Sequence, residues 1–324
     1  MSSAPGHGVI CARLLPPARL VLPSLTFQYP LKLISSSVPS SKCLTVFILS
    51  YGGGLVSNDQ IDLTVAVEVA AKLCLLTQGT PSPRRPLRFA GNAADTRQGH
   101  TKVFKQKNPS DLTSQTLTCT LHPHSSLLLL PDPIQPFASS KYKQHQRFHL
   151  PADDTASVIV LDWLTEGRSA RGEHWDLSAF ISRNEFFAPR DGRPPCLLLR
   201  DSMVLSGDAL HSRMEAQTVL ATVLIHGPLF PRLEEAILAK FKDEPRIGGR
   251  NFDNRGDFKK DDERKGGVVW TAARVRGFVL VKVVGRELEE VRAFIRGLLL
   301  LGAEGDMGGE VVSEFGEGAL LCLQ

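Results

Sequence analysis

Alternation of hydrophobic and polar side chains is the strongest pattern in this chain. It is clearest between Ile61 and Val69, where every second residue is Ile, Leu or Val and the residues between them include Asp62, Thr64 and Glu68. A period of two places the apolar side chains on one face of an extended segment and the polar ones on the other. This stretch therefore predicts a half-buried β-strand.

Short apolar or alternating runs of the same kind recur along the chain, separated by turn-rich stretches. The further predicted strands are Ala18–Leu25, Leu44–Ser50, Thr101–Lys105, Thr116–Leu121, Leu127–Leu130, Arg147–Leu150, Ser157–Leu164, Leu177–Phe187, Leu197–Leu205, Met214–His226, Val268–Val275 and Phe278–Val284. Helical spacing of apolar residues is convincing only in Pro231–Lys242 and Arg286–Leu299. The predicted fold class is mainly β, with many short strands and two helices in the C-terminal third.

Two segments interrupt this pattern. Residues 80–100 contain three prolines and four arginines without periodicity, and residues 243–267 carry many charges of both signs with almost no apolar anchor. Such segments lack the apolar surface that a packed element needs, so both are predicted to be disordered, exposed insertions. No Pro/Ser-rich linker divides the chain into two self-sufficient halves, and we expect a single domain over residues 1–324.

Composition narrows the class of function. A net charge of +4 and an aromatic content of 7% do not indicate a nucleic-acid-binding protein. The apolar residues of segment 9–25 are interrupted by Arg13, Pro16, Pro17 and Arg19, so neither a secretion signal nor a membrane span is expected. The charge and aromatic content instead favour protein partners. The six cysteines are scattered without a C-x-x-C pair, which favours reduced thiols in a cytoplasmic protein.

The sequence lacks two common signatures of catalysis. It contains neither the G-x-x-x-x-G-K-[ST] loop that cradles nucleotide phosphates nor the G-x-S-x-G turn of serine hydrolases. An enzymatic alternative uses Gly52–Gly54 as an oxyanion loop with Asp201 and a histidine as catalytic partners, and the missing nucleophile turn weighs against it. A protein that is not an enzyme is expected, and a generic β-rich interaction module is the other alternative.

The best metal-like group in the sequence is formed by Cys119, His122 and His124. Two histidines at positions i and i+2 would lie on one face of an extended segment and could hold a borderline cation such as Ni²⁺ or Cu²⁺. Isolated histidines beside a proline turn are more often exposed polar residues. This second interpretation is favoured.

The run Gly167–Glu173 places two arginines between two glycines and ends on a carboxylate. An arginine fork can bind a carboxylate through two hydrogen bonds, so a buried pair of Arg168 and Glu173, or a charged lining of a polar passage, is physically reasonable. The simpler interpretation, a surface turn with an exposed ion pair, is somewhat favoured.

Five groups of segments, taken together and in this order, resemble the UreD/UreH family of urease accessory proteins, and the N-terminal ones are most similar to fungal members. They are PGHG (5–8) with FQYPLKLI (27–34), GGGLVSND (52–59), LTQG (76–79) with TKVFK (101–105), LPDPIQPF (130–137), and DWLTEGRSARGEHW (162–175). Each segment is unspecific by itself, and their joint order carries the resemblance.

The resemblance implies a non-enzymatic assembly factor with an irregular β-helix-like arrangement of strands and two helices. Its implied partners are a UreF-type accessory protein, a UreG-type GTPase and apo-urease. GTP is used by the partner, no cofactor is bound permanently, and nickel is in transit through a polar interior to the urease active site.

A cation in transit needs oxygen and nitrogen donors that hold it weakly. By the resemblance, the expected lining is Asp59, Gln78, Thr101 and Glu173, while Gly52, Gly53, Gly54, Arg168 and Gly172 are structural. In the family, the Thr-Gln-Gly turn runs almost directly into Thr-Lys-Val-Phe, whereas here residues 80–100 separate them. This segment is either a tolerated surface insertion or a translated intron, and it bears on the geometry of Gln78 against Thr101.

Overall fold

The computed structural model describes residues 4–36, 42–77, 101–207, 209–244, 267–302 and 309–324. Three predicted features lie outside these residues: Gln78, the whole of segment 80–100, and most of segment 243–267. Of the last segment, only residues 243, 244 and 267 are described. The two predicted insertions therefore remain predictions.

Within the described residues the chain forms 17 strands. They are β1 (His7–Leu15), β2 (Arg19–Phe27), β3 (Leu31–Ser35), β4 (Leu44–Ser50), β5 (Gln60–Val67), β6 (Lys72–Leu76), β7 (Thr101–Val103), β8 (Thr113–Leu121), β9 (Ser126–Leu130), β10 (Ile134–Pro136), β11 (Lys141–His149), β12 (Ser157–Thr165), β13 (Ala179–Arg190), β14 (Arg193–Ser206), β15 (Val219–His226), β16 (Val268–Val275) and β17 (Phe278–Gly285). The helices are α1 (Leu210–Arg213), α2 (Pro231–Lys242), α3 (Leu288–Leu299) and α4 (Gly309–Phe315), and 3-10 turns cover Glu317–Leu323.

The strands form two sheets. Sheet A has the order β14-β13-β11-β8-β5-β1-β2, and sheet B has the order β16-β17-β15-β12-β9-β6-β4-β3. The short strand β10 pairs with β12 of sheet B, and β7 pairs with β10. From β4 to β13 the chain alternates between the sheets, apart from the short β7 and β10, and each new long strand pairs in parallel with the preceding one of its own sheet. The mainly β, β-helix-like fold class is thereby confirmed.

Antiparallel pairs close this parallel centre. The β1–β2 and β13–β14 hairpins form the two ends of sheet A, while β3 pairs with β4 at one end of sheet B. At the other end, β15 pairs with β12 and leads through β17 to β16.

The two sheets differ in what covers them. One apolar cluster lies between the sheets, and a second lies between the other face of sheet B and the helices α2, α3 and α4. Strand β12 is consequently buried along its whole length, whereas β5 alternates between buried and largely exposed residues. This difference explains why β5 has an alternating sequence and β12 a nearly continuous apolar one.

The predicted helices are confirmed, over Pro231–Lys242 and, two residues shorter at its start, over Leu288–Leu299. Two short helices, α1 and α4, were not predicted. The prediction of one long strand over Met214–His226 is wrong at its start, since the strand begins at Val219. Glu215 and Ala216 have positive φ angles of 46° and 65°, which end extended structure there.

Strands β1, β3, β6 and β10 were not predicted, and β11 is longer than its predicted segment. Strand β6 consists of Lys72 and a four-residue apolar run without alternation, which periodicity cannot assign to a strand or a helix. In β11 the inward positions include Gln144 and Gln146, so the apolar face is interrupted by buried polar residues. Buried and more exposed residues alternate along β11, but the hydrophobicity pattern does not show this because two of the buried residues are glutamines.

Phe186 provides a test of the packing between the sheets. It is fully buried, stacks on Phe148 of sheet A with 4.7 Å between ring centroids, and meets Phe278 of sheet B at 4.8 Å. We expect Phe186→Ala to lower the free energy of unfolding in chemical denaturation by about 3–5 kcal/mol, because it removes buried surface and leaves a cavity.

The matched control is Val204→Ala, which removes apolar atoms from a residue that is 63% exposed on β14. This change should alter stability by no more than about 0.5 kcal/mol. Equal losses for the two variants would contradict the assignment of the core.

Candidate functional site

The connections that lead from a strand of sheet B to the next long strand of sheet A all lie at one end of the molecule. They comprise residues 51–59, the described parts of 77–112, residues 131–140 and residues 166–178. We call this the motif end, because four of the five groups of segments that carry the family resemblance lie in or next to these connections. The β-helix-like path stacks them one above the other.

Backbone hydrogen bonds join the first two connections of the motif end. Leu55 N–H donates to Lys102 O at 2.8 Å, and Phe104 N–H donates to Leu55 O at 2.9 Å. Strand β7 then pairs in parallel with β10, and β10 reaches the end of β12 at Leu164. The order of contacts along this stack is therefore set by main-chain pairing.

The glycine triplet has two distinct roles in this stack. Gly52 and Gly53 have φ angles of 73° and 75°, with open space where a Cβ would be. At Gly54, a Cβ would lie 2.6 Å from the Phe104 ring and 2.8 Å from Lys102 O. The first two glycines serve the turn, and Gly54 allows the close approach of the neighbouring connection.

We expect Gly54→Ala to separate the first two connections, because the added methyl overlaps backbone atoms of Lys102. Hydrogen exchange at the Leu55 and Phe104 amides should become faster, and stability should fall by about 1–3 kcal/mol. The control is Gly53→Ala, which strains the turn without touching a neighbour. Faster exchange at both amides in the control as well would contradict the separate role of Gly54.

Three of the four residues expected to line a nickel path lie in the described chain, and all three are at the motif end. Asp59 Oδ2 accepts a hydrogen bond from Val56 N–H at 2.8 Å and closes a turn. Thr101 begins β7, and its N–H donates to Pro133 O at 3.0 Å. Glu173 lies in the last of the stacked connections. The fourth, Gln78, is outside the described residues.

Arg168 and Glu173 form a partly buried pair with two hydrogen bonds. Arg168 Nε donates to Glu173 Oε2 at 2.8 Å, and Arg168 Nη2 donates to Oε1. The Glu173 side chain is 14% exposed and also accepts a hydrogen bond from Ala138 N–H at 3.2 Å. The Arg168 hydrogen bonds lower the pKa of Glu173, and the guanidinium lies 3.9 Å from the centre of the Phe137 ring.

This geometry is more enclosed than the exposed ion pair that the sequence favoured. The pair joins the last connection of the motif end to the preceding one through Ala138 and Phe137. Gly172 closes the intervening turn with a φ angle of 74°, donating its N–H to Ser169 O at 2.9 Å. The described contacts of Arg168 and Gly172 are those of structural residues.

A belt of polar side chains crosses the apolar core between the sheets. Asp162 of β12 accepts hydrogen bonds from three residues of sheet A: Gln144 Nε2 at 3.1 Å, Ser182 Oγ at 2.5 Å and Asn184 Nδ2 at 2.8 Å. All four residues are at most 5% exposed. Burial raises the pKa of Asp162, and the hydrogen bonds from Ser182 and Asn184 oppose that shift.

The belt continues in both directions. Towards β8, the Tyr142 hydroxyl lies 3.2 Å from Gln144 Oε1 and 3.3 Å from Gln115 Oε1. Across sheet B, Thr222 is the register partner of Asp162, and Lys282 is that of Thr222. We use the name polar belt for Gln115, Tyr142, Gln144, Asp162, Ser182, Asn184, Asp201, Thr222 and Lys282.

Lys282 and Asp201 mark the open side of the polar belt. Lys282 Nζ donates to Asp201 Oδ1 at 2.6 Å and to Thr222 Oγ1 at 3.0 Å. The Lys282 side chain is 36% exposed and that of Asp201 is 12% exposed. Sheet A ends at β14, while sheet B continues to β16, so the space between the sheets reaches solvent here.

The residues of the polar belt were not predicted from the sequence as one site. Asp201 was named only for the enzymatic alternative, Asp162 appeared only as part of a family segment, and Ser182 and Asn184 fall within a predicted strand. The sequence signal that could have found them is the alternation of the strand. Ser182 and Asn184 lie at the same alternating positions as Phe180 and Phe186, which face the core. A polar residue in the buried phase of a strand must find a partner inside the protein.

A second buried carboxylate lies near the motif end, on the helix side of sheet B. Asp132 is 2% exposed and accepts a hydrogen bond from Thr77 Oγ1 at 2.7 Å. Burial raises the pKa of Asp132 to about 6, although the Thr77 hydrogen bond and the nearby Arg292 oppose that shift. Deprotonated Asp132 is therefore a source of instability at neutral pH.

We expect Asp132→Asn to stabilise the protein at pH 7 relative to pH 4. The folded-state pKa is higher than the usual 3.8, so the contribution of Asp132 to stability is full below pH 3.8 and is lost as the pH rises through about 6. Between these limits the variant should gain up to about 3 kcal/mol over the original protein in urea denaturation. Parallel stability curves for the two proteins would contradict this assignment.

Cys119, His122 and His124 are not brought together. Cys119 is fully buried between the sheets, where burial raises the pKa of its thiol, while both histidines are exposed. Ser125 N–H donates to His122 O at 3.1 Å, and His124 has a φ angle of 59°. The two histidines thus occupy a turn at the end opposite the motif end, and the expected extended segment with both imidazoles on one face is not present.

His122 instead lines a cavity of about 240 Å³ together with His149, Pro123 and Pro151. Among the residues that the structure describes, no group of three or more His, Cys, Asp or Glu side chains is placed to hold a metal ion. Over the same residues, no helix has the length and apolar character needed to cross a membrane.

The enzymatic alternative is not assembled either. Asp201 belongs to β14, four strands from β5, which follows Gly52–Gly54. At the usual strand spacing this separation is about 19 Å. The described partner of the Asp201 carboxylate is Lys282 and not a histidine.

The fold is a β-helix-like arrangement of two sheets whose apolar core is crossed by the polar belt. A model of the family described as UreD urease accessory protein matches residues 12–82 and 90–313. The chain belongs to this family, as its segments indicated. The unmatched residues 83–89 fall inside segment 80–100.

Curated relatives agree with this assignment. A urease accessory protein 4 from Cryptococcus neoformans is 33% identical over 307 residues, covering 87% of this chain and 86% of the relative. An uncharacterized ureD-like urease accessory protein from Schizosaccharomyces pombe is 30% identical, with 83% and 84% covered. A UreD from Sorangium cellulosum is 33% identical, with 89% and 78% covered. These names support a role in urease maturation and suggest a non-catalytic one.

Proposed function

We propose that this protein is a scaffold of urease maturation that binds apo-urease together with UreF-type and UreG-type partners, and that its polar belt carries nickel towards the urease active site. The observation that supports the proposal is the continuous set of polar side chains between two apolar sheet faces. In a core of this size an apolar interior would be the simpler solution, since buried polar groups must be fully paired.

The chemistry of the polar belt suits a cation in transit. Its side chains offer carboxylate, amide and hydroxyl oxygens. The nine residues that define the polar belt include no cysteine, methionine or histidine. Hard oxygen donors hold a borderline cation such as Ni²⁺ more weakly than a closed set of thiolates and imidazoles would. Nickel is in this proposal a cargo, and no permanently bound cofactor is expected.

The polar belt revises the path that was expected from the sequence. Asp59, Thr101 and Glu173 lie at the motif end and are engaged in turn and ion-pair contacts, which suits a rim or docking role at the end of the path. Asp162 and its partners supply the interior. GTP hydrolysis is assigned to the UreG-type partner, and the proposed compartment is the cytoplasm.

The proposal is tested first by co-expression with a UreF-type partner and apo-urease. We expect a soluble complex that co-purifies with this chain. A chain that stays separate from both partners would overturn the scaffold role and leave the generic interaction module as the better description.

The second test addresses the polar belt. Asp162→Asn keeps the side-chain volume but replaces one acceptor oxygen by a donor that faces Ser182, Asn184 and Gln144. We expect the complex to form and urease activation to fall roughly tenfold or more, since about 1.4 kcal/mol of lost cation binding reduces affinity tenfold.

The matched control is Asp62→Asn, which changes an exposed carboxylate on β5 of sheet A. It should leave urease activation unchanged. Full activation by the Asp162→Asn complex, with stability equal to that of the original protein, would remove the belt from the nickel path.

A further inference from the structure

The polar belt already contains one cation, the ammonium group of Lys282. Its Nζ atom lies 2.6 Å from Asp201 Oδ1 and 3.0 Å from Thr222 Oγ1. Thr222 is the register partner of both Lys282 and Asp162, so the three residues lie side by side on adjacent strands. The two carboxylates and the ammonium therefore share one electrostatic environment.

Two buried amide oxygens near these groups have no hydrogen-bond partner among the described residues. They are Asn184 Oδ1 and Gln146 Oε1, on residues that are 0% and 4% exposed. Asn184 is the register partner of both Gln146 and Asp201, so the three residues lie side by side on adjacent strands. Its amide nitrogen is already used in the hydrogen bond to Asp162.

This region of the core therefore contains more hydrogen-bond acceptor oxygens than N–H and O–H groups to pair with them. An unpaired buried amide oxygen is costly, and a cation that approaches it offers the missing partner. Amide and carboxylate oxygens are also suitable ligands for divalent cations. The acceptor surplus and the resident ammonium are independent observations that indicate the same kind of ligand.

We propose that Asp162, Asn184, Gln146 and Asp201 form a binding site for a divalent metal ion, and that Lys282 is a tethered ammonium which neutralises this site until a metal ion displaces it. The inference rests on the proposed nickel path and assigns to it a holding position near its open side. Lys282 is 36% exposed, and its flexible stem allows Nζ to leave Asp201 for solvent.

The role of Lys282 follows from charge balance. Without a cation, Asp201 and Asp162 would repel each other across the polar belt, which disfavours the charged forms of both. A monovalent ammonium reduces this repulsion and yields to a divalent ion that is attracted about twice as strongly by the same carboxylates. Displacement also returns the ammonium to water, where it is well hydrated.

The test measures Ni²⁺ binding by calorimetry on the purified full-length chain, or on its complex with a UreF-type partner. We expect Lys282→Met to bind Ni²⁺ about tenfold more tightly than the original protein, because the competing charge is gone; this corresponds to about 1.4 kcal/mol. The double variant Lys282→Met/Asp201→Asn should lose this gain. The control is Lys143→Met, which removes an exposed lysine from the outer face of β11.

A second substitution gives the opposite expectation. Lys282→Arg keeps the charge and offers a fork that holds Asp201 more firmly, so Ni²⁺ should bind more weakly than to the original protein. Thermal denaturation follows the same equilibrium: Ni²⁺ should raise the Tm of the Lys282→Met variant more than that of the Lys282→Arg variant. Because each variant is compared with and without Ni²⁺, the measurement remains valid if Lys282→Met itself lowers the stability of the protein.

Unchanged Ni²⁺ affinity in both Lys282 variants, or an equal gain in Lys143→Met, would overturn the inference. Failure of the proposed function gives a different result. In that case Ni²⁺ would still bind more tightly to Lys282→Met, while Asp162→Asn would activate urease at the original level.

Discussion

Main-chain pairing between alternate strands is the constraint on which the rest of this structure depends. Each coil of the chain adds one strand to sheet A and one to sheet B, and each strand pairs in parallel with its predecessor. Connections of the same type must therefore stack at the same end. The motif end follows from this path. Gly54 allows two neighbouring connections to approach closely, and the Arg168–Glu173 pair joins the last connection to the preceding one.

The polar belt is the second consequence of this architecture. The register of the strands, parallel in the centre of the sheets and antiparallel at their ends, places inward-facing residues of neighbouring strands side by side. Single polar residues on separate strands therefore become one continuous row. Asp162 receives its hydrogen bonds from β11 and β13, which belong to the opposite sheet. Fully paired polar groups can be tolerated in a core, and unpaired ones such as Asn184 Oδ1 require a reason. In the proposed function a transient cation is the missing partner, and the ion pair of Lys282 would then have a role beyond structure.

Much of the fold could be predicted from the sequence, and the failures have physical causes. Strand β5 was clear because one of its faces is buried and the other is open. Strand β6 was missed because both faces are buried, and the start of β11 was missed because Gln144 and Gln146 occupy its buried phase. The candidate site was predicted less well. Asp59, Thr101 and Glu173 lie together at the motif end, but their role as the lining of a nickel path stays a prediction. The interior polar residues carry no local signal beyond their position on the buried face of a strand.

The sequence by itself determined the mainly β class, the two long helices and, through the order of its segments, membership of the UreD family. These properties depend on local periodicity and on short runs of residues that are read along the chain. Only the tertiary structure decided that Gly54 serves close approach while Gly52 and Gly53 serve a turn, that His122 and His124 do not share a face, and that Asp162 meets Ser182, Asn184 and Gln144. Those relations depend on the register between strands that are distant in sequence, and register is set by the packing of the whole sheet.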